Sequence, residues 1–169
     1  MGLFSGLTLN TLDDLFIAQI EDLYDAEIQI TAALPKMVDA ASNPELKQAI
    51  QKHLGETEGH VARLERVFGA LGKQSARHTC QAMKGLIAEG KEVLDSDGDA
   101  DVKDAALIAA AQRVEHYEIA GYGTARTLAM QLGREEIARL LDSTLQEEGA
   151  ADKTLTQIAE SSVNARAAS

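Results

Sequence analysis

The stretch that decides the fold is DAALIAAAQRVEHYEIAGYG, which occupies residues 104–123. Apolar residues recur in it every three or four positions, and the stripe continues to Leu132, as on one face of a long α-helix. Two carboxylates share that face, because Glu118 falls near the centre of the stripe and Glu115 near its edge. The sequence therefore predicts a helix that buries acidic side chains among apolar ones.

The same periodicity, followed outward in both directions, predicts three more long helices and one short helix. Breaks at Ser42-Asn43-Pro44 and at Gly133 divide the long helices into two hairpins. The connection between the hairpins carries the short helix. The expected spans are 10–41, 44–70, 80–94 for the short helix, 104–132 with Asp104 as N-cap, and 134–161, all within a single domain over residues 1–169.

Two antiparallel hairpins joined by a long connection are typical of the ferritin-like four-helix bundle. A simple up-down-up-down bundle needs only short loops, and the segment 70–104 is too long for that. The predicted fold class is therefore all-α: a ferritin-like four-helix bundle of two antiparallel hairpins, with a long crossover that carries a short extra helix.

Composition excludes several classes of protein. The net charge of −11, from 16 basic and 27 acidic residues, repels phosphate backbones and anionic membrane surfaces. The single cysteine, Cys80, excludes an intrachain disulfide and any site built from several thiolates. No apolar run approaches the roughly 18 residues of a spanning helix, and the opening MGLFSGLTLN lacks the features of a secretion signal. We therefore expect a cytoplasmic protein that binds neither nucleic acid nor membrane.

Acidic or imidazole side chains fall on or near the inward faces of all four long helices. These candidate metal ligands are Glu27 on the first helix, His53, His60 and, nearer the flank, Glu56 on the second, Glu115 and Glu118 on the third, and Glu148 and Asp152 on the fourth. Glu147 points about 100° away from Glu148, so its replacement is expected to leave metal binding intact.

The positions of four of these carboxylates along their helices indicate that they lie at one level. Glu27, Glu56, Glu118 and Glu148 each lie fourteen or fifteen residues from the nearest predicted turn, at Ser42 or Gly133. At 1.5 Å per residue this places all four about 22 Å from those turns. The sequence therefore predicts that carboxylates from four helices meet at one level of the bundle.

Two interpretations of this layer remain open. Clustered buried carboxylates are tolerated when protons or cations neutralise them, and oxygen-rich ligands with imidazoles suit two divalent ions, iron or manganese. The other interpretation is a layer of hydrogen-bonded polar residues that sets the register of the helices. In that case His53 and His60 are hydrogen-bonding histidines at the edge of the core.

Five motifs give the chain a resemblance to a known family. They are AQIEDLYDAE (18–27), HLGETEG (53–59), CQAMKGLIAEG (80–90), the stretch 104–123 and LQEEGAADKTL (145–155). Over nearly its whole length the chain resembles the YciE/YciF group of ferritin-like bacterial stress proteins. The resemblance implies a homodimer in the bacterial cytoplasm, induced under stress, with a dinuclear metal site related to that of rubrerythrins.

The resemblance to rubrerythrin-like proteins is uneven along the chain. Glu27 matches the lone carboxylate of their first helix, and Glu115-x-x-Glu118 matches the paired carboxylates of their third. Glu56 has glycine rather than histidine three residues later, and the fourth helix carries no histidine. A site richer in carboxylates than the family pattern leaves room for metal binding without oxygen activation.

Three functions follow from these features. The first is a redox enzyme in which two iron or manganese ions, held by Glu27, Glu56, Glu118 and Glu148, act on peroxide or oxygen. The second is a metal-binding protein without turnover, and the third is a structural stress protein whose acidic layer only sets helix register. Whether the protein is an enzyme is left open, because a fold does not determine a function.

Overall fold

Helices make up nearly all of residues 8–169, the part of the chain that the computed structural model describes. In chain order they are α1 (Leu12–Ala40), α2 (Pro44–Ala70), α3 (Gln81–Asp95), α4 (Ala100–Gln131), α5 (Glu135–Ile158), a π-helical turn (Ala159–Val163) and α6 (Asn164–Ala167). No strand occurs in residues 8–169, which confirms the predicted all-helical class. Within the same range, no helix combines the length and apolarity needed to cross a membrane.

Contacts between the helices place four of them around one interior. Helix α1 packs against α2 and α4, and α5 packs against the same two helices. Helix α3, in the connection between α2 and α4, packs outside this ring against α1 and α4. The side chains that α1, α2, α4 and α5 turn inward therefore meet one another.

Local sequence signals set several helix ends. Thr11 begins α1 with a capping box: its hydroxyl accepts the N–H of Asp14, and the Asp14 carboxylate accepts the N–H of Thr11. Asn43 caps α2, and Pro44 takes the first helical position, where no N–H is needed. Gly133, with a φ of 70°, lets the chain turn sharply between α4 and α5.

The expected start of the third long helix is wrong by one turn. Helix α4 begins at Ala100, and its N-cap is Asp99, which accepts the N–H groups of Asp101 and Val102. Asp104 lies inside the helix, fully buried, and accepts the N–H groups of Ser42 and Asn43 at 2.9 and 2.7 Å. Both aspartates suit an N-cap, and the contact with the α1–α2 turn decides between them.

The last long helix also differs from the span 134–161. The α-helical pattern of α5 ends at Ile158, and helical structure continues through the π-helical turn and α6 to Ala167. Val163 is fully buried in that turn. The π turn inserts one residue and so rotates the face that the chain presents to the core, which keeps Val163 inside.

Buried apolar side chains form two clusters, one on either side of a polar layer. The first cluster includes Ile30 and Leu34 of α1 and Leu155 of α5, and the second includes Phe16 of α1 and Leu141 of α5. Apart from Asp104, the buried polar residues of α2, α4 and α5 lie between the segments that feed the two clusters. The fold therefore places a group of buried ionisable side chains at mid-height, away from both ends of the helices.

Candidate metal centre

Six buried ionisable side chains meet in the polar layer, and each of the four long helices contributes at least one. They are Glu27 of α1, His53 and His60 of α2, Glu115 and Glu118 of α4, and Glu148 of α5. None is more than 7% exposed. All six belong to the eight candidate ligands predicted from the sequence.

The six side chains fall into two groups, and within each group the ligand atoms lie within 4.8 Å of one another. Glu27, His60 and Glu148 form the first group, and His53, Glu115, Glu118 and Glu148 form the second. Glu148 belongs to both: its Oε1 lies 2.9 Å from His60 Nδ1, and its Oε2 lies 3.9 Å from His53 Nε2. The arrangement offers two neighbouring positions that share one carboxylate.

His60 is held with one ring nitrogen toward the carboxylates and the other away from them. Its Nδ1 lies 3.4 Å from Glu27 Oε1, and its Nε2 is hydrogen-bonded to Glu147 Oε2 at 2.8 Å. Arg63 donates to the two oxygens of Glu147 at 2.8 and 3.2 Å. With Nε2 occupied by Glu147, Nδ1 is the ring nitrogen that faces the centre.

His53 lies seven residues before His60 on the same face of α2. His53, Thr57 and His60 lie at positions i, i+4 and i+7, so they share one face of α2, and all three are buried. The Nε2 of His53 lies 3.3 Å from Glu115 Oε1. Helical spacing thus brings two imidazoles into the layer from a single helix.

Most ligand atoms of the centre lack hydrogen-bond partners among residues 8–169. Nine side-chain atoms are affected: Glu27 Oε2, both ring nitrogens of His53, His60 Nδ1, Glu115 Oε2, and both oxygens of Glu118 and of Glu148. Buried polar atoms are nearly always paired in folded proteins, and a cluster of unpaired ones indicates a missing ion or water. The donor set, four carboxylates and two imidazoles, is chemically suited to divalent metal ions.

Burial changes the acid–base behaviour of the layer. It raises the pKa of Glu118 well above the usual range, and the nearby Glu27 and Glu148 charges raise it further. The pKa of Glu115 is raised in the same way, by burial first and then by Glu148. Burial alone would lower the pKa of His60, but its interactions with Glu148 and Glu27 outweigh burial and raise it to about 10. Without metal, protons are therefore favoured in the layer.

Two of the predicted ligands lie outside both groups. Glu56 is on the flank of α2, where it pairs with Lys52 and keeps 26% of its side chain exposed, and its Oε2 lies 3.8 Å from His53 Nδ1. Asp152 accepts a hydrogen bond from Gln112 at 2.9 Å and lies 3.3 Å from His116. Counting residues from the turns predicts Glu56 as the ligand that α2 contributes to the layer. In the structure, His53 and His60 take that place.

Three contacts around the centre were not expected from the sequence. The hydroxyl of Tyr122, which is fully buried, donates to Glu27 Oε1. Glu147 is hydrogen-bonded to His60 from the partly exposed side, and Arg63 in turn donates to Glu147. Tyr122 follows Glu118 by one helical turn on the same face, so its position could have been found, whereas the reach of Glu147 depends on how α2 and α5 pack.

Comparison with known proteins gives the chain its family. A family model described as "Domain of unknown function (DUF892)" matches residues 11–168. The chain belongs to this family. Protein YciF of Escherichia coli (strain K12) is 48% identical to this DUF892 chain over 162 residues, which cover 95% of the chain and 98% of YciF. The resemblance to the YciE/YciF group is thereby confirmed.

Solved structures show the same relationship. The crystal structure of YciF, described as an E. coli stress protein, matches with a TM-score of 0.89 and 49% identity over 92% of this chain and 99% of YciF. YcfI of Rhodopseudomonas palustris, for which a structural role has been suggested, matches with a TM-score of 0.86 and 43% identity over 90% of this chain and 96% of YcfI. A Xanthomonas campestris protein at 22% identity, with a TM-score of 0.74 over 92% of this chain and 95% of its own, shares the fold alone.

Proposed function

We propose that this protein is a ferritin-like stress-response protein that holds two divalent metal ions, iron or manganese, inside a four-helix bundle. The observation that carries the proposal is the burial of four carboxylates and two imidazoles, most of whose inward atoms lack hydrogen-bond partners in the described chain. Burying charge without compensation costs several kcal/mol per ion, and bound cations offset that cost.

The proposed ligand sets follow the two groups. Glu27, His60 and Glu148 hold one ion, and His53, Glu115 and Glu118 hold the other together with Glu148. Mostly oxygen ligands with a few imidazole nitrogens suit iron and manganese, and the absence of thiolates from both groups argues against structural zinc. Glu56 and Asp152 are outside the proposed sets.

A pair of redox-active ions, when bound, supplies electron transfer to peroxide or oxygen. The chain provides the surroundings for that chemistry. The apolar clusters keep the layer dry, Tyr122 orients the Glu27 carboxylate by a hydrogen bond, and Glu147 orients His60.

Metal binding without turnover is the second candidate, and one observation favours it. The only cysteine, Cys80, is fully buried, and burial raises the pKa of its thiol to about 11. The chain thus has no pair of reactive thiols that could bring electrons to the ions. The structural role suggested for YcfI is a third candidate, in which the polar layer sets only the register of the helices.

Metal analysis tests the proposal. The full chain, purified without chelators, is analysed for iron, manganese and zinc, and chelator-treated protein is titrated with Mn²⁺ and, without oxygen, with Fe²⁺. We expect up to two ions per chain. Protein that carries no metal and binds none on titration contradicts the proposal, and assays of peroxide consumption and Fe²⁺ oxidation then separate an enzyme from a binding protein.

The family resemblance also supports a homodimer in the cytoplasm as the working form. Light scattering on the metal-loaded chain is expected to give twice the 18.1 kDa mass of one chain. A mass of one chain at micromolar concentration contradicts this part of the proposal.

A further inference from the structure

A small cavity of about 40 Å³ connects the candidate metal centre with the flank of α2. His53 and Glu115 line it at the buried end, and Lys52 and Glu56 line it where side chains are exposed. Its volume is enough for a water-sized species. The cavity therefore lies between the partly exposed Glu56 and the second ligand group, and it can hold one small ion.

His53 is aimed into this cavity without a partner. His53 is buried, and neither ring nitrogen has a hydrogen-bond partner among residues 8–169. Glu56 Oε2, at 3.8 Å from His53 Nδ1, is too far for a hydrogen bond but near enough to pass an ion inward. Glu56, His53 and Glu115 thus form a series of donors that leads from the flank to the centre.

Two openings reach ligands of the centre, and its other ligands are covered. Glu27, Glu118 and Glu148 are at most 1% exposed, and Glu147 with Arg63 covers His60. A larger groove of about 710 Å³ between α1, α3 and α4 also touches Glu115, but His53 does not line it. The small cavity therefore reaches two proposed ligands of the second group, and the groove reaches one.

We propose that divalent cations enter the centre through the small cavity, with Glu56 as a transit ligand at its mouth and Lys52 as a charge that slows them. The inference rests on the proposed function, and it gives Glu56 a kinetic role in place of a permanent one. Glu56 attracts an approaching cation and strips part of its water, whereas Lys52 repels it and competes for the same carboxylate.

The test follows Co²⁺ uptake by metal-free full-length protein, in a stopped-flow instrument that records visible absorption, with cobalt per chain measured at the end point. We expect Glu56→Gln to slow uptake about tenfold and to leave the end point unchanged. Lys52→Gln is expected to speed uptake several-fold. Glu58→Gln and Lys47→Gln make the same charge changes at exposed positions of α2 and should leave the rate within about twofold.

Each possible result supports or contradicts the proposed role of Glu56 and of the cavity. A lower end point in Glu56→Gln makes Glu56 an equilibrium ligand and overturns the transit role. Unchanged rates in both Glu56→Gln and Lys52→Gln, or equal slowing in Glu56→Gln and Glu58→Gln, overturn the path. Wild-type protein that takes up no Co²⁺, Mn²⁺ or Fe²⁺ overturns the proposed function itself, a result distinct from normal uptake that is insensitive to Glu56.

Discussion

Glu148 is the residue on which both ligand groups depend, because its two oxygens face the two imidazoles. We expect Glu148→Ala to reduce the metal content from two ions to one or none. Glu136→Ala, at an exposed position of the same helix, should keep both ions. Metal analysis after dialysis measures the difference, and two ions bound by Glu148→Ala would contradict the shared-ligand assignment.

Glu147 is expected to affect metal affinity through its hydrogen bond to His60. Because it accepts the Nε2 hydrogen bond of His60, it keeps Nδ1 directed at the centre. Removal of such an orienting carboxylate typically lowers metal affinity about 10- to 100-fold. We expect Glu147→Ala to show this loss in a competition titration, with the stoichiometry unchanged and with partial rescue in Glu147→Gln. Equal affinities in the wild type and Glu147→Ala would support the helical-wheel expectation instead.

At the scale of elements, Asp104 joins α4 to the turn between α1 and α2. It accepts two backbone N–H groups of that turn while fully buried, so Asp104→Ala leaves both without a partner. We expect the free energy of unfolding to fall by about 3 kcal/mol. Urea unfolding followed by circular dichroism measures it. Asp97→Ala, in the exposed loop before α4, is the control, and an equal effect of the two substitutions would contradict the role of Asp104.

At the scale of the whole molecule, the polar layer links stability to pH. In the folded metal-free state the pKa values of Glu115 and Glu118 are raised well above 4.5, and that of His60 is raised from 6.5 to about 10. The folded state therefore holds more protons than the unfolded chain, and its stability falls as pH rises above 4.5 toward the raised pKa values. We expect urea unfolding of chelator-treated protein to show lower stability at about pH 9 than at about pH 6.

Bound metal should reverse this dependence, because ions and protons compete for the same ligand atoms. The increase in melting temperature on adding Mn²⁺ is therefore expected to be larger at about pH 8 than at about pH 6. A larger increase at the lower pH would count against ligation by the carboxylates and His60.

Replacing one carboxylate distinguishes a layer that binds metal from a layer that only sets the register of the helices. If the layer binds metal, Glu118→Gln removes the free-energy cost of protonating a buried carboxyl, so it should stabilise the metal-free protein near neutral pH and weaken metal binding. If the layer only sets register, the same change breaks a satisfied network and destabilises the protein with and without metal. Thermal melts in Mn²⁺ and in chelator distinguish the two, with the exposed Glu58→Gln as control.

The amino-acid sequence by itself determined the helical class, the family and the existence of a buried polar layer. Apolar residues at every third or fourth position decide which face of each helix is buried, and that pattern is local. Residues such as Glu27, Glu118 and Glu148 fall within the buried face, so their burial follows from the same pattern. The capping box at Thr11 and the Asn43-Pro44 pair mark helix starts for equally local reasons.

Only the tertiary structure decided which of the inward residues meet. Counting residues from a turn gives height along a helix, but it leaves open the rotation of each helix in the bundle and the direction of each side chain. The inward face of α2 at positions 53, 57 and 60 follows from periodicity, but the carboxylates that His53 and His60 approach depend on how the helices pack. Asp104 and Glu147 gained their roles from neighbouring helices, through contacts between residues far apart in the chain.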